Sequence, residues 1–407
     1  MTDKAGKIEP RLLKGFRDYG LEEQASRQAM FARIQSVFEQ FGFLPLSTPV
    51  LEYKEILMGK YGDDEKLVYS FKDNGDRDVA MRYDLTVPLA RYVAQNLGGL
   101  PLPFKRYQIA PVWRADNPQK GRLREFYQCD VDSVGTDSPL SDAEVIACCA
   151  KAIESLGVTN YKIRISDREL LKDLSPDAIR SLDKVDKIGI EGITKEMNDR
   201  GVSQSEIDLA IQLVEGTRVA VPGRLQKVID GLKEYGLKGQ IEFDPTIARG
   251  LDYYSGTVFE TVLPEKPEYG SICSGGRYDG LVDQFSSQSL AAVGGSIGID
   301  RLYGALEELG LIPKTSGIQV LVLNQDERYQ SEYIKLVTQL RSAGINTELY
   351  YEAAKLDKQF KYGERKNIPF AVVMGEEEIA SGKVKLKNLS TREQEEVSID
   401  ELADKIR

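Results

Sequence analysis

The 407-residue chain contains no histidine. That absence removes imidazole general bases, His-ligated metals and His-based pH switches together. Whatever chemistry the protein performs must use carboxylates, Arg, Lys, Tyr, Gln or the substrate itself. Cysteine is scarce: Cys129, Cys148, Cys149 and Cys273 form no CxxC pair and no even ladder. They suit a reducing compartment and argue against a structural zinc site. No apolar run approaches membrane-spanning length, and the N-terminus lacks a signal-peptide pattern. A cytoplasmic protein without membrane contact is expected. An excess of positive charge is also missing. A net charge of −10 excludes a generally basic nucleic-acid binder, so any RNA contact needs a local basic patch. What remains, 41% hydrophobic and 29% charged residues, is the composition of a globular chain with ample core. The length suggests two or three domains.

The stretch Trp113 to Asp132, WRADNPQKGRLREFYQCDVD, is too charged for an ordinary core element. Arg114, Lys120, Arg122 and Arg124 alternate with Asp116, Glu125, Asp130 and Asp132. Phe104 to Trp113 reads as a strand, Asn117 to Gly121 as a loop, and Phe126, Cys129 and Val131 as part of a second strand. An antiparallel hairpin results, with an Arg at the end of its first strand and a basic loop. Guanidinium groups fixed on strands suit bidentate phosphate binding. Taken alone, the stretch is equally a salt-bridged surface hairpin.

Elsewhere the pattern is regular. Met30, Phe31, Ile34, Val37, Phe38 and Phe41 share one face of a helix predicted over Glu22 to Phe41 and ended by Gly42. Phe43 to Leu51 reads as an edge strand that tolerates Pro45 and Pro49. A hairpin turns at Asn74-Gly75, and Asp84 and Thr86 fall in the N-cap region of a helix from about Pro88 to Asn96. Ser141 to Leu156 is a helix capped by Ser141 with Glu144 three residues on, and Tyr161 to Ile165 is a strand. Lys-, Asp- and Glu-rich helices dominate from Asp167 to Gly239. In Ala248 to Gly256, a buried strand leaves Arg249 beside Gly250, and then Asp252-Tyr253-Tyr254, unexplained. Gly275-Gly276 reads as a turn, and Val293 to Leu302 as a Gly-rich strand running into a helix. After a linker, Leu311 to Gly317, strands and helices alternate as in a small α/β domain. Its helix Leu356 to Lys366 carries Lys358, Lys361, Arg365 and Lys366, with Lys355 just ahead of it and only Asp357 and Glu364 against them. That patch, with Phe360 and Tyr362, suits RNA phosphate contact and base stacking. For any single Lys a solvated face is as good a reading.

Trp113 to Asp132 resembles motif 2 of the class II aminoacyl-tRNA synthetases, in the form found in histidyl-tRNA synthetases. Loop length, arginine positions and the Arg124-Glu125-Phe126-Tyr127-Gln128 run fit together. Pro10 to Tyr19 is similar to the family's N-terminal signature, and the helix, strand and Pro49 resemble motif 1. Ala248 to Gly256 resembles the histidyl-specific signature, and Val293 to Leu302, with Asp300 and Arg301, resembles motif 3.

The resemblance implies an α+β class II catalytic core, an antiparallel sheet with flanking helices, in two parts, 1–166 and 241–311. A helical insertion, 167–240, separates them, and an α/β anticodon-binding domain, 318–407, follows. It implies ATP-dependent ligation of L-histidine to its tRNA through histidyl-adenylate, with Mg2+ bridging the phosphates and no protein-ligated structural metal. Arg114 and Arg249 would be catalytic, both at the ATP α-phosphate, with Arg114 also on the substrate carboxylate. Asp116 and Arg122 would belong to the ATP site, and Arg301 would hold the γ-phosphate. Asp84 and Thr86 would take the α-amino group. Gln128, Asp132, Tyr253, Tyr254 and Tyr278, with Arg249, would form the histidine pocket. Gln119 and Lys120 would face the tRNA acceptor end, and Lys358, Lys361 and Arg365 are further tRNA-contact candidates. The family's motif 1 builds a homodimer. Two other readings stay open: a histidine-binding regulatory relative, and a synthetase-like tRNA-sensing module without catalysis. The retained arginines and C-terminal domain argue against both.

Overall fold

A computed structural model describes residues 8–118, 121–216, 219–248, 253–312 and 317–407. The chain groups into two compact units. The larger is built chiefly from Met30–Leu311, the smaller from Ile312–Arg407 with Asp18–Ala29. The strands of the larger unit are β1 (Leu44–Pro45), β2 (Leu51–Tyr53), β3 (Ser70–Lys72), β4 (Asp78–Met81), β5 (Phe104–Trp113), β6 (Glu125–Val134), β7 (Lys162–Asp167), β8 (Gln240–Phe243), β9 (Thr257–Val262), β10 (Ser271–Arg277) and β11 (Ala292–Gly298).

Eight of these form one sheet in the order β1-β5-β6-β11-β10-β9-β7-β8. The six inner strands pair antiparallel, and β1 and β8 add a parallel strand at either edge. Helices cover the sheet. Leu21–Gln40 buries Met30, Phe31, Ile34, Val37 and Phe38, with Phe38 against Tyr107 at 5.7 Å and Phe31 against Tyr127 at 5.3 Å between ring centroids. Pro139–Ser155 buries most of its residues, among them Val145, Ile146, Cys148, Cys149 and Ile153. β2, β4 and β3 make a separate three-stranded sheet.

Three local readings change. Phe43 to Leu51 is two short strands in different sheets rather than one strand. Pro49 has no N–H for a ladder, and the Arg82 guanidinium donates to Thr48 O at 2.8 Å, occupying that carbonyl with a side chain. The helix expected from Ser141 starts earlier. Ser138 is its N-cap, Pro139 fills the first turn, and Ser141 Oγ donates to Ser138 O at 2.8 Å. Gly275 and Gly276 lie within β10 rather than in a turn. A Cβ on Gly275 would stand 2.2 Å from Gly294 O and 2.6 Å from the Phe259 ring, so close strand and side-chain approach explains the glycine.

Between β7 and β8, helices Pro176–Leu182, Val185–Asp199, Gln204–Glu215 and Gly223–Glu234 follow one another. The first three share a core of Ala178, Leu182, Ile193, Met197, Ile207 and Leu213. The smaller unit holds β12 (Val320–Val322), β13 (Thr347–Leu349), β14 (Phe370–Val373), β15 (Lys383–Asn388) and β16 (Gln394–Ser398), ordered β13-β12-β14-β15-β16. Val320 and Val322 pack with Tyr333 and Leu336 of helix Gln330–Ser342. Leu321 packs on the opposite side with Phe360 of helix Leu356–Arg365. Period-2 alternation along a strand covered on both faces produces that division. No helix among the described residues is long and apolar enough to cross a membrane.

Candidate active site

The hairpin β5–β6 runs in a register that sets Arg106 opposite Asp132, Gln108 opposite Asp130 and Ala110 opposite Gln128. Alternation along β6 turns Gln128, Asp130 and Asp132 to one face. β11 sets Gly298, Ser296 and Gly294 beside those three. A Cβ on Gly294 would fall 2.0 Å from Asp132 Oδ1. Glycine there opens a recess lined by Thr86, Asp130, Asp132, Tyr254, Tyr278 and Ser296, among others.

Each acid at this inner end is held differently. Tyr278, buried just past β10, donates its hydroxyl to Asp132 Oδ1 at 2.6 Å. Arg106 Nη2 stands 2.7 Å from Asp132 Oδ2 as an ion pair, while its aligned hydrogen bond goes to Leu85 O at 3.0 Å. Asp84 caps the helix Thr86–Asn96, accepting from Thr86 N at 3.1 Å and Val87 N at 2.9 Å. The same carboxylate accepts the Tyr253 hydroxyl at 3.1 Å and that of Tyr61 at 3.3 Å. A helix start and a pocket wall are here one residue. Gln128 Nε2 donates to Ser296 Oγ at 2.8 Å, and its buried Oε1 has no hydrogen-bond partner. Tyr253 packs edge-on against Tyr254 and Tyr278, with centroids 5.3 and 6.0 Å apart. Burial raises the carboxyls of Asp84, Asp130 and Asp132 above the usual range, Asp130 to about 7. Burial likewise drives the Tyr253 and Tyr278 hydroxyls far up, so both tyrosines are neutral donors.

The recess opens from a cleft of about 950 Å³ whose far lining carries Arg114, Arg122 and Arg301. Arg114 follows the last residue of β5. Its Nε donates to Tyr83 O at 3.0 Å, and its guanidinium lies 4.2 Å from the Tyr83 ring centroid and 5.2 Å from that of Phe126. Arg122 binds buried Asp116 through two parallel bonds of 2.9 Å. Arg301, in the first turn of helix Ile299–Glu308, donates to Gly121 O at 3.3 Å and Ser271 O at 3.1 Å. It thereby fastens the β5–β6 loop to β10. Its neighbour Asp300 accepts Tyr127 N at 2.9 Å. Among the described residues no three His, Cys, Asp or Glu side chains converge on a possible metal position.

Arg114, Asp116, Arg122, Arg301, Asp84, Thr86, Gln128, Tyr253 and Tyr254 thus line one cleft, and Asp132 and Tyr278 its recess. Arg249, Gln119 and Lys120 lie outside the described residues. Lys358, Lys361 and Arg365 are exposed on their helix in the smaller unit, as is Lys355. Lys366 is instead bound to Glu348 at 2.5 Å. The stacking role expected of Phe360 does not fit, whereas Tyr362 stays exposed. Phe360 packs into the core beneath Lys387 Nζ, 4.1 Å from its centroid. Tyr362 is hydrogen-bonded to Glu348 and edge-on to Tyr350. Sequence reasoning left Asp130, Ser296, Arg106 and Tyr61 without a role. The spacing Gln128, Asp130, Asp132 was a usable signal for the first. Arg106 and Tyr61 needed the strand register and the chain fold.

The family model described as Histidyl-tRNA synthetase matches residues 15–188 and 196–302, and Anticodon binding domain matches 318–407. Histidine--tRNA ligase of Rhodopirellula baltica is 42% identical, with 96% of each chain covered. That of Cytophaga hutchinsonii is 38% identical, with 98% of this chain and 99% of the relative covered. The crystal structure of histidyl-tRNA synthetase from Nostoc sp. PCC 7120 superposes with a TM-score of 0.86 at 32% identity, covering 98% of this chain and 99% of that one.

Proposed function

The chain belongs to the histidyl-tRNA synthetase family, and from this premise we propose how its cleft divides the work of joining L-histidine to tRNA. The enzyme is a histidine–tRNA ligase, acting through a histidyl-adenylate. In the first step a carboxylate oxygen of histidine bonds to the ATP α-phosphorus, and the bond to pyrophosphate breaks. In the second, a ribose hydroxyl at the tRNA end takes the histidyl group and AMP leaves.

The first step needs no protein base, because the nucleophile is already an anion. Catalysis comes from alignment and from stabilising charge on phosphate oxygens. Arg114 takes that part, touching the α-phosphate and the histidine carboxylate. Its stacking between Tyr83 and Phe126 fixes the fork without consuming its charge. Arg301 meets the γ-phosphate, and the Asp116–Arg122 pair meets the nucleotide. Arg249 is assigned to the α-phosphate on the likeness of its run alone. ATP arrives with Mg2+, which shares its charge among phosphate oxygens.

At the inner end Asp84 and Thr86 receive the α-ammonium, while Gln128, Asp132, Tyr253, Tyr254 and Tyr278 surround the imidazole. The observation that carries this reading is an excess of buried carboxylate. Asp84, Asp130 and Asp132 are 1%, 3% and 2% exposed, and the Arg106 guanidinium is paired with only one of them. Such a recess calls for a ligand rich in N–H donors. Its neighbour, an arginine-lined cleft, calls for phosphate.

The finer assignments complete the proposal. Catalytic parts 1–166 and 241–311 flank a mainly structural insertion, 167–240, and 318–407 binds the anticodon. Exposed Lys358, Lys361 and Arg365 contact tRNA, and Gln119 and Lys120 serve the acceptor end. Two copies pair through the motif 1 region, where Leu44 and Leu51 are 68% and 43% exposed. The protein works in the cytoplasm, consistent with four free cysteines.

Histidine-dependent exchange of pyrophosphate into ATP tests the core of this. Exchange supported by histidine but not by glutamine or phenylalanine is expected. Histidine binding without any exchange would instead favour the regulatory relative.

A further inference from the structure

Two guanidinium groups meet on one buried carboxylate away from the cleft. Asp142 lies in the first turn of helix Pro139–Ser155 and is fully buried. Arg277, the last residue of β10 and also buried, donates Nε to Asp142 Oδ1 at 3.1 Å and Nη2 to Oδ2 at 2.8 Å. Arg224 comes from helix Gly223–Glu234, one of the four helices between β7 and β8. Its Nη2 donates to Asp142 Oδ2 at 3.0 Å, and its Nη1 to Asp137 O at 2.9 Å. A carboxylate so deeply buried is tolerable only with such partners. Neither Asp142, Arg224 nor Arg277 lines the recess or the cleft.

Arg277 is nevertheless tied to everything that carries the recess tyrosines. Its Nη1 donates to Asp279 Oδ1 at 2.9 Å, and the same oxygen accepts Ala292 N, at the start of β11, at 3.2 Å. The other oxygen of Asp279 accepts Ser255 Oγ at 3.0 Å. Ser255 N, just past Tyr254, donates to Arg277 O at 2.8 Å. Tyr278 follows Arg277 directly, and its hydroxyl holds Asp132. One fork thus fixes three chain segments that meet at the inner end of the cleft.

We propose that Arg224 is a positioning residue for histidine activation: through the shared Asp142 it sets Arg277, and through Arg277 the placement of Tyr278. This rests on the ligase reading above. Arg224 touches no substrate. With Arg224 in place, Asp142 has a second cation, and Arg277 can divide its donors between Asp142 and Asp279. Without it, Asp142 depends on Arg277 alone, and the fork is drawn toward Asp142 at the expense of Asp279. The contacts of Asp279 with Ser255 and Ala292 then loosen, and Tyr278 moves with its neighbours. A helix outside the catalytic sheet thereby acts on the first chemical step, before any tRNA is bound. Supporting contacts of this kind hold a site to the tolerance that binding and alignment require.

The test is histidine-dependent pyrophosphate exchange without tRNA by wild type, Arg224→Gln and Arg224→Lys, with kcat, both KM values and the melting temperature of each protein. Arg224→Gln should raise the histidine KM by roughly tenfold and leave the ATP KM unchanged. Arg224→Lys keeps the charge but not the two-pronged reach, so its histidine KM should fall between the other two. If the glutamine variant does not fold, the lysine variant is read in its place. In a Tyr278→Phe background, Arg224→Gln should add little, because both changes act through the same hydroxyl. A residue that served stability alone would lower the melting temperature and leave both KM values as they are. That outcome, or effects of Arg224→Gln and Tyr278→Phe that multiply in full, overturns the role of Arg224 alone. Wild type without histidine-dependent exchange overturns the ligase reading itself.

Discussion

The inner and outer ends of the cleft treat charge in opposite ways. Asp84, Asp130 and Asp132 are buried, and burial holds all three carboxyls above their ordinary range. Arg114 and Arg301 are half-buried and Arg122 is exposed, each hydrogen-bonded to a carbonyl or carboxylate that fixes its direction. A guanidinium stays ionised at partial exposure and can meet a polyanion that carries its own water and Mg2+. A carboxylate taken out of water loses much of its hydration and is restored only by donors of the right shape. The outer end thus presents accessible positive charge and the inner end buried carboxyls.

Arg114→Ala breaks the outer end and should have the largest effect. Exchange should fall by roughly 10³-fold in kcat/KM, with kcat falling too, because the lost contact strengthens as charge develops. A change confined to the histidine KM would show that the two ends had been assigned the wrong way round. Gly294→Ala attacks the inner end sterically, since its Cβ would overlap Asp132 Oδ1. We expect a loss of about 1–3 kcal/mol in thermal or denaturant unfolding, and histidine binding weakened more than ATP binding in calorimetry. Tyr278→Phe removes the donor to Asp132 and leaves that oxygen buried. Roughly tenfold weaker histidine activation, with an unchanged ATP KM, should follow.

Acid and alkali sharpen the comparison. Asp130 has a folded-state pKa of about 7 against an ordinary 3.8, so the native state binds its proton more tightly than the unfolded chain. Its contribution to stability is present at low pH and is lost as pH rises from about 4 to about 7. Melting of the ligand-free protein across that window should show Asp130→Asn gaining on wild type as pH rises; parallel curves would count against a buried, titrating Asp130. The smallest effect lies outside the cleft. Replacing Lys358, Lys361 and Arg365 by Ala should raise the tRNA KM of aminoacylation a few-fold and flatten its salt dependence, while exchange without tRNA is untouched.

The cleft's arginines were legible because residue type and local order reveal them. Arg114 directly follows a strand, Arg301 lies in the first turn of a helix, and Asp116 and Arg122 share one loop. Asp84 was legible twice, as a cap and as a pocket acid, and it occupies both positions. Asp130 was visible in the alternation Gln128, Asp130, Asp132, yet nothing local separated it from any acid on a charged hairpin. Arg106 and Tyr61 gave no signal at all. Each reaches the recess through pairing or packing between distant segments. Local errors have local causes: Ser138 competes with Ser141 for the same helix end, and Pro139 tips the choice by fitting the first turn.

The amino-acid sequence by itself determined the alternation that turns β6's acids to one face, the starts of the site's helices, and a chemistry without imidazole, since these depend on neighbours along the chain. Only the tertiary structure decided which donors reach each buried acid. Strand register brings Arg106 to Asp132 and Ser296 alongside Asp130. Hydrogen bonding and desolvation depend on distances between residues far apart in the chain, and folding alone fixes those distances.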